Sequence, residues 1–563
     1  MRRLWARLRT IVEGALWLSL LPLGACGSPA VGAPAITTQV DDWRDEVIYQ
    51  VLTDRFANGD PSNDEVDGVG VMPGDLSRYQ GGDFDGLRQH LGYIARLGAT
   101  AIWISPVTAP IERETQADGY HGYWPADLTR TNPHFGDLEA LRRLVRAAHR
   151  RDLKVIVDIV PNHMGRVFDY DLNRDGVAEE DEAEPAFSLA APYDAPLLWR
   201  VPAPLIFTSD GSTRALGVQD FHRRGRGDLS DPAQRRLGDF PDGLRDLATE
   251  RPELRDDLVA TYARWVMDTN VDGFRIDAVP HIERAFWPAF SSALRERIEA
   301  LGKQRFLLLG EVFEADPRRI APFTEDGGLD SFFDLPLKLS LFDGVLLDGA
   351  PPETARFALS EARTLFPTSG ATRGIGVDPW RARAVLADNH DTWRFAGELA
   401  DARVTRLAMT LLFTLDGFPS VYYGTEQGFR GQGGHESREV MWTSGYDEGA
   451  PLYQMIAHLA QIRRESAALR RGELVVRYLA ETGGLATAED SGLLAYERVL
   501  DPERVLVVIN AHALQSSGAV IPTGFPAGAT LVDALEGERR FVVAEGGDVR
   551  LTLSPRSAVV LRR

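Results

Sequence analysis

The stretch Leu138-Glu-Ala-Leu-Arg-Arg-Leu-Val-Arg-Ala-Ala-His-Arg-Arg151, followed at once by Lys154-Val-Ile-Val-Asp158, holds the change of period that decides the fold. Leu138, Leu141, Leu144, Val145 and Ala148 recur at helical spacing, so the first part reads as an amphipathic helix; the second is a short β-branched run of strand length. A helix feeding a strand is the repeating unit of a parallel sheet with helical crossovers. Outward from this unit the same alternation recurs. Strands are predicted at Val47–Val51 and Ala101–Ser105 upstream. Downstream, a helix over Arg255–Asp268 leads into Val271–Ile276, and further strands are predicted at Phe306–Gly310, Leu329–Phe333, Ala384–Ala387 and Ser420–Tyr423. Eight strand candidates over roughly 400 residues predict an α/β protein built on a closed (β/α)8 TIM barrel.

Two departures from the alternation mark other units. Between Pro161 and about Asn270 the chain is polar and rich in Gly and Pro. A structureless loop of that size does not suit a compact domain, so an inserted domain is predicted at about 162–245. After residue 467 short alternating runs such as Arg504-Val-Leu-Val-Val-Ile509 predict a C-terminal all-β sandwich over 468–563, leaving 43–467 to the barrel and its insert. The N-terminus reads differently again. Arg2, Arg3, Arg7 and Arg9 precede an apolar stretch from Ile11 to Leu23, the layout of an export signal and not of a membrane span. Leu23-Gly-Ala-Cys26 resembles the bacterial lipobox, which implies cleavage of residues 1–25, a lipid on Cys26, and a Pro/Ala-rich tether over 26–42. The expectation is an exported lipoprotein facing the periplasm or the cell exterior, with a plain secretory signal cut elsewhere as the alternative. Cys26 is the only cysteine, so no internal disulfide is possible. A net charge of −20 argues against nucleic-acid binding. Solubility explains it, and calcium binding would use some of the carboxylates.

In such a barrel, reacting groups sit just past the C-terminal strand ends. Asp158, Asn162 and His163 follow the third strand; Arg275, Asp277 and His281 follow or end the fourth. Glu311 follows the fifth; Asp388, Asn389, His390 and Asp391 follow the seventh. One Asp past a strand is usually a turn residue or helix cap. Carboxylates at four strand ends are not explained that way, and Asp277, Glu311 and Asp391 would converge on one mouth. That set suits hydrolysis of a glycosidic bond, which needs a protonated acid on the leaving oxygen and a carboxylate on the opposite face of the sugar. Arg275 lies two residues from Asp277 on the same strand face and would hold it ionised, while the acid needs a raised pKa.

These motifs carry a resemblance. Asp158-Ile-Val-Pro-Asn162-His163, Gly273-Phe-Arg275-Ile-Asp277-Ala-Val-Pro-His281, Gly310-Glu311-Val-Phe313 and Ala387-Asp388-Asn-His390-Asp391 resemble, in order and spacing, the four signature regions of the α-amylase family, glycoside hydrolase family 13. Leu244-Arg-Asp246-Leu247 resembles the signature in the inserted domain, and Gly417 to Glu426 the eighth-strand signature. The resemblance spans about residues 45–430. It implies that Asp277 is the nucleophile, Glu311 the acid/base, and Asp391 a third carboxylate gripping sugar hydroxyls. Arg275, His163 and His390 would line the −1 subsite, which holds the sugar whose bond is cut. Tyr120-His121-Gly-Tyr123-Trp124 resembles a further family element, with Tyr123 stacked under that sugar, His121 bonded to it and Trp124 beside them.

Calcium is the expected cofactor. Asn58, Asp60, Asn63 and Asp64 crowd one loop, with Gly81 and Asp83 further on. Oxygen-rich clusters suit calcium, although a solvated turn has the same composition. The arrangement resembles the N-terminal calcium site of cyclodextrin glucanotransferases. Asn162, Asp246 and the carbonyl of His281 match the family site that joins insert and barrel. Separately, Asp171-Leu-Asn173-Arg-Asp175-Gly176, continuing to Glu182, fits the twelve-residue calcium loop, without evident flanking helices.

Cyclodextrin-forming members carry an aromatic where this chain has Asp242, and tend to carry lysine where it has Pro280. The chain also ends after one small β domain. These departures imply retaining hydrolysis of α-1,4-glucosidic bonds in starch, glycogen or maltodextrins by a monomer. A cyclodextrin- or maltodextrin-degrading relative, a transglycosylase or an exo-acting α-glucosidase stands second. A non-catalytic α-glucan-binding lipoprotein would tolerate loss of a carboxylate, and all three are present.

Overall fold

The structure, a computed structural model, describes residues 34–563 except 115, 179–183 and 400. The signal, Cys26 and Glu182 lie outside the described residues. Eight parallel strands form one sheet: β1 Ile48–Val51, β2 Ala101–Ile104, β3 Lys154–Ile159, β4 Gly273–Ile276, β5 Leu307–Gly310, β6 Ser331–Phe332, β7 Ala384–Leu386 and β8 Phe418–Tyr422. Each pairs with its sequence neighbour, β8 returns to β1, and a parallel bridge between Phe333 and Ala384 joins β6 to β7 and closes the ring. The barrel expected from the sequence is therefore present. Alternate residues of each strand point to opposite faces. Ile48, Trp103, Ile156, Leu307, Leu309, Leu386 and Phe418 fill the barrel interior, whereas Ile102, Ile104, Val155 and Leu308 pack outward beneath the helices.

The crossover helices start and stop for local reasons. Asp83 accepts the Gly86 N–H at 2.6 Å to cap helix Phe84–Leu97, which ends at Gly98 with φ +97°. Asp137 caps the predicted helix, Leu138–His149, through Ala140 N at 2.7 Å. The helix expected from Arg255 begins earlier, at Pro252, whose fixed φ suits the first turn, and stops at Asn270 in the left-handed region.

The segment after β3 consists of short antiparallel pairs: Phe168–Tyr170 with Leu197–Trp199, Leu205–Phe207 with Thr213–Ala215, and His163–Met164 with Arg245–Asp246. Its centre is Arg245, buried between Asp239 (2.7 Å) and Asp169 (3.2 Å), with its guanidinium 4.9 Å from the rings of both Phe168 and Tyr170. The last pair ties this segment to the barrel mouth. Beyond residue 472 a six-stranded antiparallel sheet faces the pair Ser517–Pro522 and Asp548–Leu553 across its own core of Leu493, Leu506, Val508, Ile521, Leu551 and Leu561. Among the described residues no helix is long and apolar enough to cross a membrane.

Candidate active site

The strand ends converge on Arg275. Its side chain is fully buried, and Nη1 lies 2.9 Å from Asp158 Oδ1 and 2.9 Å from Asp277 Oδ1. Nη2 lies 2.7 Å from Glu311 Oε1, as an ion pair outside hydrogen-bond alignment. Because one rigid, planar guanidinium carries both contacts, the Asp277 and Glu311 oxygens that touch it are at most about 8 Å apart. Ala278, directly after Asp277, takes φ +53°. A non-glycine residue held there marks a turn that the surrounding structure over-determines.

The three carboxylates are not equivalent. Burial raises Glu311; Arg275 opposes this, while the charges of Asp277, Asp391 and Asp158 add to it. Burial also raises Asp277, against Arg275 and a hydrogen bond from Glu311. Burial and the charge of Asp391 thus work against the hold that Arg275 was expected to exert on Asp277. Asp391 differs. The effect of burial is outweighed there by His390, Arg438 and Arg275, which lower it, and its side chain is 35% exposed against 13% for Asp277 and 12% for Glu311.

Aromatic and imidazole rings floor the site. Tyr123 donates to Asp158 Oδ2 at 2.7 Å and stacks on His390, with centroids 5.2 Å apart and planes 7° apart. Trp103 Nε1 donates to the same Asp158 oxygen at 3.1 Å. Burial pushes His390 down to about 3, so it is neutral. Gln50 Nε2 lies 2.7 Å from its Nδ1; an amide donating there leaves the proton on Nε2, which faces Asp391 at 3.1 Å. Burial likewise lowers His163 to about 4; it can donate through Nε2 to the Tyr123 carbonyl (3.2 Å) and stacks on Phe240. His121 Nδ1 accepts the Tyr123 N–H at 3.0 Å, and Trp124 meets His121 edge-on at 4.6 Å. All the expected sugar-binding residues except the enclosed Arg275 line one cleft of about 790 Å³ with Asp277, Glu311 and Asp391. Asp388 is not among them; its carboxylate accepts the Phe395 N–H.

Sequence reasoning missed several lining residues. Arg438 reaches Asp391 Oδ1 (3.5 Å) and the His390 carbonyl (3.2 Å). Arg235, from the insert, pairs with Glu314 at 2.9 Å, and its carbonyl faces His281 Nδ1 at 3.2 Å. Phe313, 60% exposed, stands two residues past Glu311. Only Phe313 had a signal, its place in a quoted motif; the two arginines are among many and follow no local pattern.

The candidate metal ligands divide. Around Gly81 (φ +100°), Asn58 Nδ2 and Asp64 Oδ1 crowd the space a Cβ would need, and Asn63 Oδ1 is buried without a hydrogen-bond partner among the described residues. Asp60 accepts from Ser62, and both Asp83 oxygens accept backbone N–H groups, of Gly59, Asp60 and Gly86. At the insert junction Asn162 contacts His163, while Asp246 Oδ2 lies 2.5 Å from His222 Nδ1. His222 also bonds Glu250 at 2.8 Å, and against the opposing effect of burial the two carboxylates push it up to about 10. Among the described residues no group of three or more His, Cys, Asp or Glu side chains is arranged to hold an ion.

The site is thus a buried arginine touching two carboxylates, with a third beside them, at the mouth of a (β/α)8 barrel, where such folds place their reacting groups. The comparisons carry this further. A family model described as the alpha-amylase catalytic domain matches residues 50–450, and the chain belongs to that family. It is 32% identical to the alpha-amylase of Streptomyces lividans, over 88% of this chain and 57% of that one, so it spans little more than half of that relative's length. It is 31% identical to an uncharacterized glycosyl hydrolase of Schizosaccharomyces pombe, covering 75% and 74%. The alpha-amylase of Geobacillus thermoleovorans, solved with acarbose, superposes with a TM-score of 0.69 at 28% identity, covering 93% and 99%. A gamma-CGTase from alkalophilic Bacillus clarkii gives 0.74 at 26%, covering 93% and 71%.

Proposed function

We propose that this chain is a retaining α-amylase that hydrolyses α-1,4-glucosidic bonds in starch, glycogen or maltodextrins. The observation that carries the reading is the single Arg275 guanidinium bearing both Asp277 and Glu311, a separation compatible with the roughly 5–5.5 Å of retaining enzymes. Glu311 gives its proton to the glycosidic oxygen as that C–O bond breaks, and Asp277 forms a bond to the anomeric carbon. Glu311, now ionised, takes a proton from water, which displaces Asp277 and restores both groups. Asp391, with His390, holds hydroxyls of the distorted sugar, and Tyr123 stacks beneath it. Reducing sugar released from soluble starch tests the reading: D277N should lower the rate at least about 10³-fold with the fold unchanged by circular dichroism. Full activity in D277N would sink it.

The second reading, a cyclodextrin-degrading or transglycosylating enzyme, draws on the likeness to a gamma-CGTase. Asp242, not an aromatic, lines the cleft at the position in question, and Phe240 instead stacks on His163, which supports hydrolysis. Mass analysis of products from starch, cyclodextrin and pullulan separates the two. Calcium is proposed at the Asn58, Asn63, Asp64 and Gly81 set, where the orphaned Asn63 oxygen supports it; at Asn162 and Asp246 an ion would compete with His222. Chelation should lower the Tm, and calcium should restore it, by the stabilisation expected of any ligand of the folded state. Export and lipid attachment at Cys26 rest on the lipobox resemblance; loss of labelled-lipid incorporation in C26A tests them.

A further inference from the structure

Strand Phe168–Tyr170 of the insert runs directly into Asp171-Leu-Asn173-Arg-Asp175-Gly176. Asp171 is 3% exposed. One carboxylate oxygen, Oδ2, accepts the Gly176 N–H at 3.2 Å, which aims the group into the loop. The other, Oδ1, is buried and has no hydrogen-bond partner among the described residues. No basic side chain among the described residues pairs with Asp171 or Asp175; Arg174 turns to Asp194 instead. A buried carboxylate oxygen with neither donor nor counter-ion is costly, and the usual resolution is a cation.

The rest of the loop brings suitable donors. Asn173 Oδ1 accepts the Asp175 N–H and Asp175 Oδ1 the Val177 N–H, each at 2.9 Å, so both side chains fold back over the turn. Arg174 and Gly176 take φ +62° and +82°, and nothing lies within 4 Å of a Cβ placed on Gly176. Two carboxylates and an amide oxygen are hard donors, suited to calcium and not to softer ions.

We propose that Asp171, Asn173 and Asp175 bind a calcium ion, with Asp171 Oδ1 as its buried ligand. This site is separate from the Asn58 and Asp246 sets and does not depend on the catalytic reading. The test uses the full chain, freed of metal and then dialysed against calcium, with metal content measured by atomic emission and terbium luminescence excited through Tyr170. The wild type should hold one more calcium ion than D171N or D175A, with at least tenfold weaker binding at this site in the variants and loss of the terbium signal. Asp175 is exposed, so D175A keeps the test readable if D171N fails to fold. Equal calcium content and unchanged terbium emission in D175A would overturn the proposal.

Discussion

In the proposed mechanism Glu311 acts in its protonated form, which burial, reinforced by the charges of Asp277 and Asp391, favours. The basic limb of kcat/KM therefore belongs to Glu311 and should lie above the ordinary glutamate range. D391N removes a negative neighbour, so the Glu311 proton leaves more easily and its pKa falls. The residual activity of D391N should lose its basic limb at lower pH than the wild type; a limb that stays or moves upward refutes this coupling. At this scale the carboxylates were legible because each follows a strand and the motif order repeats. Arg438 and Arg235 were not, because each reaches the cleft from a segment far from the motifs it contacts.

Gly310 ends β5 and aims Glu311. A Cβ there would lie 2.3 Å from Leu329 Cδ1 and 3.2 Å from Val279 Cγ2, so the strand end has no room for a methyl group. G310A should lower stability by about 1–3 kcal/mol through overpacking, measured by urea denaturation, and should lower kcat by tilting Glu311 away from Arg275. An unchanged midpoint would mean Leu329 yields freely. Most elements could be read from their period, as the helix Leu138–His149 shows. The sixth strand is only Ser331–Phe332, too short for a period, and was the faintest of the eight. The insert could be located but not described, since its short pairs are set by Arg245 and its aromatic neighbours.

The C-terminal sheet docks on the barrel through Arg498, which donates to the Thr414 and Gly472 carbonyls at 2.8 Å each, beside the Tyr496–Thr414 hydrogen bond of 2.6 Å. R498A should orphan both buried carbonyls and cost about 1–3 kcal/mol for each, seen as a lower denaturation midpoint. A midpoint within error of the wild type would show that water replaces the guanidinium. The sequence by itself determined the barrel, its family and which carboxylates stand at the strand ends, because alternating periodicity and residues at strand ends are local properties of a chain. Only the tertiary structure decided that burial opposes Arg275 at Asp277, that Asp246 meets His222, and that Arg438 and Arg235 wall the cleft. Desolvation and charge pairing depend on neighbours brought together from distant parts of the chain, and no local pattern records them.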